Sequence, residues 1–182
     1  RVSLASGAPE ICLVCNDGGN SDWGSMKNFE TEALRLWQSG DRSSALALYK
    51  EWADQGDPEG MFQYARAMDA DGMTFEALDV ALKAGELGNW RGYSLVAEIS
   101  AAKGELEEAE KYWRLATAVG TGETFNNFGN FLSAVGKVEL AREQIERAAN
   151  MGYPPAMYNL GYMAAQEGQI LIAFQWLEKA SD

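Results

Sequence analysis

The side chains most able to do covalent or metal chemistry are Cys12 and Cys15, spaced Cys-x-x-Cys in "EICLVCNDGG". A structural zinc site needs four ligands, and the chain has no third cysteine and no histidine. A redox pair would need a strand running into a helix; here the pair runs into "NDGGN", a turn signal. Three readings stay open: ordinary thiols on a short apolar extended segment, a local disulfide, or a metal site shared between chains. Carboxylate pairs such as Glu107/Glu110 and Asp69/Asp71 are what 27 acidic residues produce on solvated helix faces and loops. Without histidine the commonest general base and metal ligand is missing. "NDGGN" and "GTG" lack a Walker lysine and a strand–loop–helix setting. No catalytic residue, metal site or cofactor is expected, and the chain does not read as an enzyme.

Binding chemistry is better represented. Asn127 and Asn159 lie 32 residues apart, with Gln63 in the same register. A carboxamide both donates and accepts, so a ladder of them can pair with the backbone of an extended peptide whatever its sequence. Tyr158 and Tyr162, one helical turn apart, offer apolar area with a polar tip, a favoured contact chemistry. Arg66 and Arg91 can hold a carboxylate or acidic side chain; equally, Glu59, Asp69 and Glu98 are available to them as neighbours. A formal net charge of −12 disfavours nucleic acid and anionic membrane as partners. No window approaches 18 uninterrupted apolar residues, so no transmembrane helix is expected. The 47% apolar content and six tryptophans argue against disorder.

What positions these residues is a repeat. Glycines fall at 40, 72, 104, 136 and 168, and a second series at 56, 88, 120 and 152, both spaced by 32. Five residues after each member of the first series stands Ala45, Ala77, Ala109, Ala141 or Ala173. Seven before stands a small residue (Ala33, Ala65, Ala97, Gly129, Gly161), and eleven before a large apolar one (Phe29, Met61, Tyr93, Phe125, Met157). Twelve after come Trp52, Ala84, Ala116, Ala148 and Ala180. Within a unit, Phe125, Phe128, Gly129 and Leu132 form one apolar helical stripe; Ala141, Ile145 and Ala148 form a second. Each series of glycines supplies helix stops, and Pro58 and Pro154 stand where a helix begins. The small residue of the first helix is expected to face the large one of the second, in an antiparallel pair. One hairpin cannot bury its stripe alone; a stack of five can.

Large–x–x–large–small–x–x–large followed by Ala–x3–large–x2–Ala resembles the tetratricopeptide repeat, shortened by two residues at the junction. That junction, "RAANMGYPPAMYNLG", looks like the Sel-like repeat, although the longer inner loop of Sel-like units is lacking. The resemblance implies an all-α, right-handed α-solenoid of about five antiparallel helix pairs. It also implies a concave groove lined by first-helix positions. Carried onto this chain, the principal lining residues are Phe62, Gln63, Arg66, Arg91, Ser94, Asn126, Asn127, Asn130, Tyr158, Asn159 and Tyr162. The further positions include Glu30, Leu34, Glu59, Asp69, Glu98 and Glu123. The family's carboxylate clamp is not reproduced, since Glu30 stands where its first lysine belongs.

The expected organisation is a repeat domain over 25–182, with units 25–56, 57–88, 89–120, 121–152 and 153–182. Residues 1–24 precede it as a linker or as an extended segment packed on the array. In the first unit Glu32 replaces the apolar Tyr64, Val96, Phe128 and Leu160, as suits a terminal unit with an exposed face. In the last, Ile170, Leu171, Ile172, Phe174 and Trp176 crowd a helix that needs a sixth helix, a second copy or a partner to cover it. Arg1 in place of an initiator suggests a piece of something longer, from which a signal peptide could be missing; cysteine usage favours the cytoplasm. The expected task is a protein–protein interaction module, scaffold or adaptor, binding a peptide or protein in the groove. The alternative is the recognition or dimerisation part of a larger enzyme or signalling protein, self-associating through its last repeat.

Overall fold

The computed structural model describes residues 23–118 and 120–181. Cys12, Cys15 and the expected N-terminal linker up to residue 22 lie outside the described residues. Ten helices follow one another: α1 (Trp23–Ser39), α2 (Arg42–Asp54), α3 (Pro58–Ala70), α4 (Thr74–Glu86), α5 (Trp90–Ala102), α6 (Leu106–Thr117), α7 (Gly122–Ala134), α8 (Val138–Asn150), α9 (Pro154–Gln166) and α10 (Ile170–Ser181). Each helix packs on the next, and the first helices also touch across the stack, α3 on α5 and α7 on α9.

The hairpin α7–α8 shows why these residues fold this way. Thr121 caps α7, its Oγ1 accepting from the Thr124 amide at 3.2 Å. The apolar stripe then buries Phe128 and Leu132. At the far end Gly136 takes φ +80°, a conformation that penalises any residue with a Cβ. The Lys137 amide reaches back to the Leu132 carbonyl at 2.8 Å and the Gly136 amide to Ser133 at 3.1 Å, the hydrogen bonds of a Schellman stop. The chain reverses, and α8 lays Ile145 against Gly129, where an added Cβ would sit 2.5 Å from Ile145 Cγ1 and 3.0 Å from the Ala141 carbonyl oxygen. Gly161 meets Leu177 in the same way. The expected small-against-large pairing is thus present in both hairpins.

The core runs as a chain of clusters between units. Ala33, Tyr49 and Trp52 pack on Ala67; Ala65 and Ala81 pack on Leu95, Val96 and Ile99. Trp113 packs with Phe128 and Leu132, and Ile145 and Ala148 pack with Ala156 and Leu160. The alanines at 45, 77, 109 and 141 are wholly buried, as their role in the seams requires. Ion pairs cross the outer edge of successive units: Arg42–Asp71 at 3.3 Å, Lys137–Glu110 at 2.5 Å, and Arg142–Glu167. One junction is thin. Among the described residues α6 and α7 share the smallest contact of any consecutive pair. There α6 stops at Thr117 and α7 starts at Gly122.

Candidate functional site: the wall of first helices

Where α3, α5 and α7 face one another, a cavity of about 370 Å³ opens. Its lining holds nine of the residues expected in the groove: Phe62, Gln63, Arg66, Arg91, Ser94 and Asn127 of the principal set, with Glu30, Glu98 and Glu123 of the further positions. It adds Trp90 and Leu95 from α5. Leu34, Trp37, Gln63 and Arg66 border a second, smaller opening against α2.

The arginines are held in place by a network centred on Glu59. Arg91 Nη1 donates to Glu59 Oε1 at 3.1 Å, and Gln63 Nε2 donates to the same oxygen at 2.8 Å. Asn89 Nδ2 donates to Glu59 Oε2 at 2.9 Å and to the Pro58 carbonyl at 3.1 Å. Arg66 Nη2 in turn donates to Gln63 Oε1 at 2.7 Å. Both guanidiniums lie over the Phe62 ring, 5.9 Å and 5.8 Å from its centre, and Arg91 also lies over Trp90 at 5.4 Å. Of the three acids available to these arginines, Glu59 takes Arg91. Asp69 and Glu98 form no salt bridge among the described residues. Glu98 is exposed overall, yet loss of water around it pushes its carboxyl above the usual range, and the like charges of Asp69 and Glu123 push it further.

The asparagines are tied to one another. Asn159 Nδ2 donates to Asn126 Oδ1 at 2.9 Å and to Asn130 Oδ1 at 3.2 Å, joining α9 to α7. Asn126, 4% exposed, is part of the packing, and its Nδ2 reaches Asn127 Oδ1 at a long 3.4 Å. Gln63 and Ser94, each 7% exposed, are likewise more framework than free surface. Among the described residues Asn127 Nδ2 and Asn159 Oδ1 have no partner. Tyr158 and Tyr162 stand 61% and 59% exposed on α9, past the asparagine cluster. The expected groove residues therefore fall into three neighbouring sets: the arginine–Phe62 cavity, the asparagine cluster, and the tyrosine pair.

Two contributors escaped sequence reasoning. Trp90 lines the cavity from the first position of α5, in the register of Pro58, Gly122 and Pro154; a tryptophan in a proline and glycine column was the signal. Asn89 both caps α5, accepting from the Arg91 amide at 3.1 Å, and braces Glu59. Its register partners Asp57 and Thr121 are caps as well.

An array of ten antiparallel helices with this wall defines an α-solenoid of the tetratricopeptide and Sel-like repeat kind. Comparison of the sequence with protein-family profiles and with curated proteins returns no match. Solved structures do match. The chain is similar to a thermophilic tetratricopeptide protein of Thermus thermophilus, TTC0263 (20% identity, 85% of this chain and 89% of that one, TM-score 0.64). It is similar to pilF of Pseudomonas aeruginosa (15%, 87% and 76%, 0.68). It also resembles c5321 of uropathogenic Escherichia coli, a protective antigen with the Sel-like fold (23%, 75% and 32%, 0.61), of which it spans about a third. At such identities the likeness is one of fold. No helix among the described residues is long and apolar enough to cross a membrane.

Proposed function

We propose that this chain is an interaction module, a scaffold or adaptor, that takes an extended peptide or protein segment along the wall formed by α1, α3, α5, α7 and α9. The observation that carries the reading is the continuity of that wall. An open cavity, an asparagine cluster and two half-free tyrosines follow one another across four repeats, from α3 to α9. Helical hairpins stacked in this way present such surfaces for contact along a chain rather than at a point. Selecting binders from a displayed peptide library tests the reading. The double variant Tyr158→Ala/Tyr162→Ala alters only exposed side chains; it should keep full helicity and weaken selected peptides about tenfold or more. Undiminished binding by that variant removes the tyrosines from the site.

A second reading rests on α10, whose one buried residue is Ala173. Leu171 and Phe174 are 73% and 69% exposed, and Ile170, Ile172 and Leu177 join them. In the two preceding units the register of Phe174 holds Glu110 and Arg142, which pair with the next unit, and in the first two it holds the partly buried Leu46 and Leu78. A contiguous apolar face of this kind is the sort of surface through which two copies meet. A second copy is its proposed occupant. Sedimentation across the micromolar range should then show a dimer that Phe174→Lys abolishes; a monomer throughout excludes it.

A further inference from the structure

We infer that the segment taken by this wall is basic, and that an arginine or lysine side chain enters the cavity between α3, α5 and α7. The inference rests on the groove reading and adds the chemical class of its occupant. The two guanidiniums at the cavity are already engaged: Arg91 is neutralised by Glu59 and Arg66 is held by Gln63, both against Phe62. The carboxylates are not. Glu30, Glu98 and Glu123 line the same cavity from three helices, and among the described residues none of them makes a salt bridge. Asp69 and Glu123 are close enough to act on Glu98 as like charges, so an entering cation relieves a repulsion that exists in the empty wall. An entering anion finds one cation without a carboxylate partner among the described residues, Arg66, set against the three carboxylates of the lining.

The rest of the lining suits a side chain rather than a bare ion. Phe62 and Trp90 already carry the chain's own guanidiniums and hold them against the wall, while their remaining edges give the cavity an apolar side for an aliphatic stem. Asn127 Nδ2, which has no partner among the described residues, can bond a peptide carbonyl beside it. No group of three acids among the described residues is close enough to hold a metal ion. A volume of about 370 Å³ accommodates one long side chain and the peptide unit that carries it.

Three acetylated, amidated nonapeptides sharing one Gly-Ser-Tyr frame test this by fluorescence anisotropy. They carry two arginines, two serines or two glutamates at the same positions. The arginine peptide should bind at least about tenfold tighter than the serine peptide, and the advantage should shrink as ionic strength rises to about 0.3 M. The double variant Glu98→Gln/Glu123→Gln should lose the preference while keeping its circular dichroism; Glu107→Gln, exposed on α6, should retain it. Equal or tighter binding of the serine or glutamate peptide overturns the basic occupant and leaves the groove standing. A preference that survives Glu98→Gln/Glu123→Gln overturns the site. Failure of all three peptides to bind, where library-selected peptides do, also overturns the basic occupant; failure of both sets removes the groove reading itself.

Discussion

Trp52 and Trp113 are both buried, and they differ in one hydrogen bond. Trp52 Nε1 donates to Asp57 Oδ2 at 2.5 Å, tying α2 to the cap of α3. Trp113 Nε1 finds no acceptor among the described residues and so carries an unrecovered desolvation penalty. Trp52→Phe should therefore cost about 1–2 kcal/mol more than Trp113→Phe in urea unfolding; the opposite order would mean that the Trp113 indole has a partner. Glu98 supplies a pH test. Its folded-state carboxyl is raised, so the charged form is penalised by folding at neutral pH, and the penalty vanishes as pH falls through the raised value. Glu98→Gln should raise the melting temperature at pH 7, with the gain shrinking in acid; no gain at any pH would show that the carboxylate is not crowded. At this scale the sequence was half legible. Arg91 and Glu59 share a register 32 residues apart, so their contact was readable. That Arg66 would turn to Gln63 instead of Asp69 depends on side-chain rotamers that no spacing encodes.

The helices follow from local rules and were the most legible part. Glycines at a fixed period set the stops, and alanines set the seams. Yet a further column escaped notice: Gly60, Gly92, Thr124 and Ala156, all buried at the entry of a first helix. A Cβ on Gly92 would lie 2.3 Å from the Ala81 carbonyl oxygen and 2.6 Å from the Gly85 amide nitrogen, both backbone atoms that cannot step aside. Gly92→Ala should destabilise by about 1–3 kcal/mol. Gly136→Ala, strained only by its positive φ in open space, should lose closer to 1 kcal/mol. Denaturant midpoints check the order. Between elements, buried Glu110 accepts from Lys137 and from its own-helix neighbour Arg114. The Lys137 hydrogen bond, with help from Arg114, holds that carboxyl below its ordinary range. Its contribution is present above the ordinary carboxylate value and is lost as pH falls through the lowered one. Glu110→Gln should cost about 1–2 kcal/mol at pH 7 and little in acid.

A stack whose units touch only their neighbours is as cooperative as its weakest seam. Among the described residues that seam is α6–α7. Native-state hydrogen exchange should resolve α1–α6 and α7–α10 as separate opening units; a single opening free energy for all ten helices would show the seam to be as strong as the rest. The solenoid itself was legible because periodicity is a global signal, carried redundantly by several columns. The wall's charge balance was not, since it depends on which carboxylates are already paired. The central claim concerns which side of the molecule meets its partner. Amide chemical-shift mapping with a library-selected peptide asks this directly. Perturbations are expected on α3, α5, α7 and α9, around Arg66, Glu98, Asn127, Tyr158 and Tyr162. Perturbations confined to the second helices α2, α4, α6 and α8, or to the outer face of α10, would contradict the account.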